Sequence, residues 1–444
     1  MKNALTNLRS ICLLSGLILS TGCQTILPEP EFKLPEKFSW DQTPNISAVN
    51  LEANTPYVLS LERPSKRSAE RTLTSTTSYV TNAKGQLSTG SNSSREAYEP
   101  FRTLKAIEEK SEVKDGFIKV TLKSASGEPV LSETVPLGAD KSKMIETPLG
   151  DNFPGAFILK SKTRKTKQPI LVVLGGSEGG DGAARSQAPE FVDQGFIVLG
   201  LPYHSPAWYG QTQQFPDLPR AFDNLPIDYL EEAVAQVRLD KDVDPDRVLL
   251  MGGSKGAEFV MLAGALIPDD SDGGGFCAIV ADVPTDVVWE GWGRQNATEK
   301  YSGFSWRGEE LPFAPYVDMG RALSARQTGD SYTMTQAHER GRDAFPDRVK
   351  AARINVEAID EPLLLIGGDK DATWASAKMS RTVAQSRKAA GLETEIYVYT
   401  DASHAVGGSP LSTVSEADLN ARIENYPAMM AFFKRHAKRD DCRE

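Results

Sequence analysis

Apolar and polar positions follow two different rhythms along this chain, and the change between them falls near residue 166. Ahead of it lie Tyr57-Val-Leu-Ser-Leu61, Ser78-Tyr-Val80, Phe117-Ile-Lys-Val-Thr-Leu122 and Val130-Leu-Ser-Glu-Thr-Val135, short alternating or β-branched runs. The turn signals Asn82-Ala-Lys-Gly85, Lys114-Asp-Gly116 and Ser126-Gly-Glu-Pro129 separate them. Strands at this spacing with no helical period between them predict a small β-sandwich over residues 43–165. Beyond it, apolar runs at Ile170–Leu174, Phe196–Leu201, Val248–Met251, Cys277–Val283, Leu363–Ile366 and Ile396–Tyr399 alternate with helical segments. Of these, Ile227, Leu230, Val234 and Val237 make the clearest face. That alternation predicts an α/β domain over residues 166–440, a mostly parallel sheet with helices on both faces. The interval 284–362 is far longer than an ordinary loop. It holds Trp289, Trp292, Phe304, Trp306, Phe313 and Tyr316, and reads equally as the wall of an apolar substrate pocket or as a packed accessory subdomain.

Within the second region the period changes at one defined point. Arg247-Val-Leu-Leu-Met251 suits a buried strand, Ala257, Val260, Met261 and Gly264 recur at helical spacing, and Ser254 stands between them at the centre of Gly252-x-Ser254-x-Gly256. This is the pattern of a nucleophile elbow, where the glycines let neighbouring backbone approach a serine held in a strained turn, as in an α/β-hydrolase fold. The amide of Lys255 at the helix start can then face a developing oxyanion. Gly175-Gly-Ser177-Glu-Gly179 matches the same pattern, but it runs on through Gly180, Asp181 and Gly182 as a loop and opens the α/β region rather than sitting at its middle. Context therefore makes Ser254 the nucleophile and the Ser177 loop the source of the second oxyanion amide.

A serine nucleophile needs an imidazole base, and the chain offers His204, His338, His404 and His436. His404 follows the last strand in Thr400-Asp-Ala-Ser-His404-Ala-Val-Gly-Gly408, where the base belongs in this chain order. His436 ends a basic helix, His338 lies in a charged run of the insertion, and His204 sits at a strand end beside the cleft, more readily structural than in contact with substrate. Two carboxylates, Asp369 and Asp371, come directly after the Leu363–Ile366 strand, and either serves as the orienting acid.

Charge and the chain ends narrow the picture. A net charge of −10 with no basic cluster argues against a nucleic-acid partner. Lys2 and Arg9, an apolar Ile11–Leu19 and then Ser-Thr-Gly-Cys23 resemble a lipoprotein-type signal over residues 1–22, with Cys23 as lipidation site and a Pro-rich tether over 23–42. An ordinary cleaved signal with an incidental cysteine is the alternative. Cys277 reads as a small buried hydrophobe and Cys442 lies in a charged tail; spacing leaves their pairing open. No Cys/His spacing calls for a metal, and the proposed chemistry needs no cofactor.

Taken together, Gly253-Ser254-Lys255-Gly256-Ala257-Glu258, Gly368-Asp-Lys-Asp371-Ala-Thr-Trp374 with Ser376 and Met379, and Ala402-Ser-His404 resemble the C-terminal domain of the acyl-CoA thioesterase and bile acid-CoA:amino acid N-acyltransferase family. The resemblance places the acid three residues before the tryptophan, which implies Asp371 over Asp369. It also implies a β-sandwich ahead of the hydrolase domain, and Tyr79–Leu87 is similar to a hairpin of that sandwich. Members that transfer acyl groups to amino acids carry cysteine at the elbow, so Ser254 points to the hydrolysing branch. The expectation is a serine hydrolase of acyl thioesters or esters, with a small-molecule acyl substrate. Ser254, Asp371 and His404 form its triad, the amides of Lys255 and Ser177 its oxyanion hole, and His204, Trp289, Trp292 and Trp374 border the substrate pocket. The alternatives are an envelope carboxylesterase or peptidase and a catalytically silent envelope-binding lipoprotein.

Overall fold

The computed structural model describes residues 28–65, 68–90, 95–207, 212–294, 298–439 and 442. The signal read over residues 1–22 and the proposed lipidation site Cys23 lie outside the described residues.

Two antiparallel sheets make the first domain. One is three-stranded, ordered β1 (Glu31–Lys33), β2 (Ser47–Val49), β5 (Leu87–Ser88); the other is five-stranded, ordered β6 (Lys105–Ile107), β4 (Ser68–Val80), β3 (Pro56–Ser65), β7 (Phe117–Ser124), β8 (Pro129–Pro136). Period-2 patterning sets the register: Leu59 opposes Leu122 and Leu61 opposes Val120, and all four are buried on one face. The short helix α1 (Glu99–Arg102) adds Phe101 to the same core. Residues 31–42 are not the tether expected. β1 pairs with β2, and Phe32 and Phe38 are buried in the sandwich core. Burying a side chain of this size is worth roughly 1.5–3 kcal/mol, which holds the segment down despite its prolines.

The second domain is built on an eight-stranded sheet ordered β19 (Thr394–Tyr399), β18 (Leu363–Gly368), β15 (Ala278–Asp282), β14 (Val243–Gly253), β11 (Gln168–Leu174), β12 (Ile197–Gly200), β10 (Phe157–Ser161), β9 (Met144–Pro148). It is parallel from β19 to β12 and antiparallel at β10 and β9. The boundary expected at residue 165 therefore falls about twenty residues too late, because β9 and β10 are the edge hairpin of this sheet. A short antiparallel hairpin has the same pattern whether it ends a sandwich or opens a mixed sheet.

The central runs are apolar throughout because both faces are covered. Ile170, Val172, Val248, Leu250, Ile279, Leu363 and Leu365 face one core with α3 (Asp228–Val237), α4 (Lys255–Leu266) and α8 (Ser376–Ala389). Leu171, Val173, Leu249, Met251, Val280, Leu364 and Ile366 face the other with α2 (Gly182–Asp193) and α9 (Glu416–His436). Cys277, buried at the foot of β15, is disulfide-bonded to Cys442 beyond α9, which ties the chain's C-terminal tail to the sheet.

The insertion 284–362 is a packed subdomain. It holds α5 (Met319–Thr328), α6 (Met334–Ala344), α7 (Pro346–Ala351) and a small sheet of β16 (Phe304–Trp306) and β17 (Glu309–Glu310) joined by β13 (Leu225–Pro226). Trp289 is 1% exposed, packs with Ala314, Ala352, Trp374 and Met379, and donates its indole N–H to Thr285 Oγ1 at 2.8 Å.

Candidate active site

β14 ends at Gly253 and α4 begins at Lys255, so a single residue makes the turn. Ser254 takes φ 56°, ψ −118°, a backbone conformation L residues seldom adopt. The turn is this tight because its flanking glycines touch backbone. A Cβ on Gly252 would lie 2.1 Å from the Gly256 carbonyl oxygen, and one on Gly256 would lie 2.4 Å from that of Gly175. On the next strand, the Asp282 carbonyl accepts the Ser254 amide at 2.9 Å.

Over this turn hangs His404. Its Nε2 is 2.9 Å from Ser254 Oγ and its Nδ1 is 2.8 Å from Asp371 Oδ2. The Asp371 carboxylate is fully buried, and its other oxygen accepts the amides of Thr373 and Trp374 at 2.8 and 3.2 Å. With Oδ1 held by its own turn, Oδ2 is left to the imidazole. Asp369 points elsewhere and pairs with Arg381 at 3.0 Å. Ser254, Asp371 and His404 thus meet, in that chain order, over a mostly parallel sheet with the Ser254 turn near its centre. The chain has the α/β-hydrolase fold.

The loop that carries His404 is held from below by one face of α9. Asp418 accepts the Ser403 amide at 2.7 Å, Arg422 donates to the carbonyls of Ala405 and Ser409 at 2.9 Å each, and Asn425 donates to that of Val406 at 2.9 Å. The helical spacing 418, 422, 425 puts all three on one side. Asp282 lies beneath the same loop. A Cβ on Gly407 would meet its Oδ2 at 1.7 Å, Oδ1 is buried without a partner, and burial raises its pKa to about 6, opposed by the charges of His404 and Arg422.

Ser177 lies in a loop, as its context suggested, and α2 starts only at Gly182. Gly179 and Gly180 take φ 67° and 63°, and the loop is fixed by Gly180 N–H to the His204 carbonyl at 2.9 Å and Tyr203 Oη to the Gly175 carbonyl at 2.9 Å. It runs against the elbow, since a Cβ on Gly176 would be 3.0 Å from Ser254 Cβ. The Gly176 amide is already used: it donates to Glu178 Oε1 at 2.8 Å. Lys255 and Ser177 therefore remain the amides to consider for an oxyanion, Lys255 because the first N–H groups of a helix have no partner within it.

The Lys255 side chain turns inward. Its Nζ is 2.6 Å from Glu258 Oε2, in a cage of Phe222, Phe304 and Trp292, and Glu258 Oε1 accepts the Trp289 amide at 3.0 Å. Burial lowers the lysine and raises the glutamate, each opposed by its partner's charge. The pair therefore fastens the insertion to the elbow helix, and its charges cancel locally.

The other expected pocket residues separate. Trp292 stacks on Phe222 at 4.4 Å and lines a cavity of about 570 Å³ with Pro206, Ala207, Arg220 and Arg294. Trp374, 3% exposed, packs edge-on to His404 at 5.7 Å and donates to the Val283 carbonyl at 3.0 Å. Trp289 is buried in the subdomain core against Trp374 and Met379, not at a surface where it was expected to form a pocket wall. His204 is 1% exposed, and neither ring nitrogen has a well-aligned hydrogen-bond partner. The Ser177 backbone lies close enough to favour the charged ring, but burial outweighs it and lowers the pKa to about 4. His204 is thus a neutral ring supporting the Ser177 loop. His338 and His436 are buried away from Ser254, against Trp289 and Phe432. Among the described residues no group of three or more His, Cys, Asp or Glu side chains is placed to hold a metal ion.

No family model matches the chain. Mouse acyl-coenzyme A thioesterase 6 is 31% identical over 106 residues, 24% of this chain, and the match spans 23% of that relative's length. Among solved structures, a truncated carbohydrate esterase from gut microbiota is 16% identical with a TM-score of 0.43, covering 68% of this chain and 99% of that one. A thermophilic esterase from Thermogutta terrifontis is 15% identical with a TM-score of 0.40, covering 67% and 93%.

Proposed function

We propose that the protein is a serine hydrolase of acyl thioesters and esters that works through an acyl-enzyme on Ser254. The observation that carries this reading is the continuous line of hydrogen bonds from the buried Asp371 through His404 to Ser254 at a strained elbow. As Ser254 Oγ attacks the acyl carbonyl carbon, its proton passes to His404 Nε2, and Asp371 keeps the ring oriented and stabilises the imidazolium. The carbonyl electrons move onto oxygen, where the Lys255 and Ser177 amides stabilise the charge. Collapse expels the thiol or alcohol, which takes the proton back from His404. Water then repeats the sequence and releases the acid.

The thioester part of the reading draws on the resemblance of the Ser254, Asp371 and His404 motifs and on the partial match to the mouse thioesterase. A panel of acyl-CoA, p-nitrophenyl ester and aminoacyl amide substrates tests it. Hydrolysis of thioesters and esters with a pre-steady-state burst is expected; cleavage of the amides alone would contradict it. The Cys23 motif adds a lipid anchor in the bacterial envelope to the proposal. Cys23→Ala should leave the membrane fraction, and a wild type that takes up no labelled palmitate would refute the anchor.

A further inference from the structure

Glu178 is a carboxylate that the reaction above does not use, and it stands next to the nucleophile. Its Oε1 accepts the Gly176 amide, and its Oε2 is 2.9 Å from the position a Gly176 Cβ would take, itself 3.0 Å from Ser254 Cβ. The two distances together bound the Glu178 Oε2 to Ser254 Cβ separation at about 5.9 Å. Lys255, at the start of the elbow helix, is paired with Glu258, while Asp371 and Asp282 add carboxylates around the His404 loop. Glu178 is exposed and has no ion-pair partner among the described residues.

The geometry points to Glu178 as a specificity-determining residue. It disfavours substrates with an anionic group a few bonds from the scissile carbonyl and favours uncharged or cationic ones. This rests on the hydrolase reading and narrows its substrate class. The discrimination is local, because at physiological salt a charge more than about 8 Å away is largely screened. A distant phosphate at the far end of a long thiol would escape it; a carboxylate or ammonium close to the sulfur would not. At about 6 Å one unit charge changes the interaction by about threefold in bulk water, and by more in the reduced dielectric of a protein surface.

The test holds the butyryl group constant and varies the charge of the leaving thiol. Butyrylthiocholine, S-butyryl-2-mercaptoethanol and 3-(butyrylthio)propionate are compared by kcat/KM, with thiol release read at low and high salt. Wild type should prefer them in that order. Glu178→Gln keeps an oxygen for the Gly176 amide and removes the charge, so the cationic-to-anionic ratio should fall by about tenfold, and Glu178→Lys should invert it. At 1 M salt the wild-type ratio should collapse towards that of Glu178→Gln. An unchanged ratio in both variants overturns the assignment of Glu178. Ser254→Ala separates this from the larger reading: if it still hydrolyses the three thioesters, or if wild type hydrolyses none, the hydrolase reading itself fails.

Discussion

Replacing Asp371 by Asn tests the acid most closely, because the turn around it dictates how an amide would sit. Oδ1 accepts two backbone amides, from Thr373 and Trp374, and Oδ2 faces His404 Nδ1. An Asn side chain has one oxygen and one NH₂ group. Pointing the NH₂ at two N–H donors would set three donors against one another, so the oxygen stays with the turn and the NH₂ faces the imidazole. Nδ1 must then accept, which leaves the proton on Nε2, the atom that takes the Ser254 proton in the proposed mechanism. In serine-triad enzymes this wrong tautomer costs about 10⁴ in kcat, equivalent to about 5.5 kcal/mol of transition-state stabilisation. KM should change little, because Asp371 is buried behind His404. The assay is steady-state hydrolysis of p-nitrophenyl butyrate by Asp371→Asn and Asp369→Asn, with circular dichroism confirming the fold. Asp369 only pairs with the exposed Arg381, so its variant should stay within about tenfold of wild type. Equal losses at the two positions, or a loss under tenfold at Asp371, would show that Asp371 does not orient His404.

Two further predictions concern stability. The Cys277–Cys442 bridge closes a loop of 165 residues, so replacing both cysteines with serine should cost roughly 2–5 kcal/mol in denaturant unfolding while kcat stays within about tenfold; an unfolding midpoint that does not move would contradict the bridge. Glu361 is buried with Oε1 unpartnered, and burial raises its pKa from 4.5 to about 8. Between these values the folded chain holds a proton that the unfolded chain has lost, so this residue takes stability away as pH rises, on the order of 3–5 kcal/mol by pH 9. Glu361→Gln should therefore match wild type near pH 4 and exceed it at pH 9; parallel stability curves would contradict this.

What the sequence revealed was whatever has a local period or a fixed spacing. The apolar runs at residues 170–174, 248–251 and 363–366 are strands because a sheet covered on both faces needs side chains of one kind on each. The elbow was legible because its glycines are required: a Cβ on Gly252 or Gly256 would fall within 2.5 Å of a backbone oxygen. The two carboxylates after β18 were not separable from spacing, because their difference lies in tertiary partners: one meets His404, the other Arg381. The α9 residues that hold the His404 loop look like an ordinary polar helix face until the loop is packed against it. Residues 31–42 were misread because their prolines outweighed Phe32 and Phe38, whose partners come from strands much later in the chain. Asp282 and Glu178 escaped notice for a related reason, since an acidic residue at a strand end or in a loop gives no sign of what it will face. The Cys277–Cys442 pairing is likewise a contact between distant segments, outside any local pattern.

We propose that Ser254, and not Ser177, forms the covalent intermediate. The direct measurement is fluorophosphonate labelling followed by peptide mass mapping. One adduct is expected, on the peptide containing Ser254, lost in Ser254→Ala and His404→Ala and retained in Ser177→Ala, because an oxyanion loop contributes its amide and not its hydroxyl. An adduct on Ser177, or labelling that persists in Ser254→Ala, would contradict it.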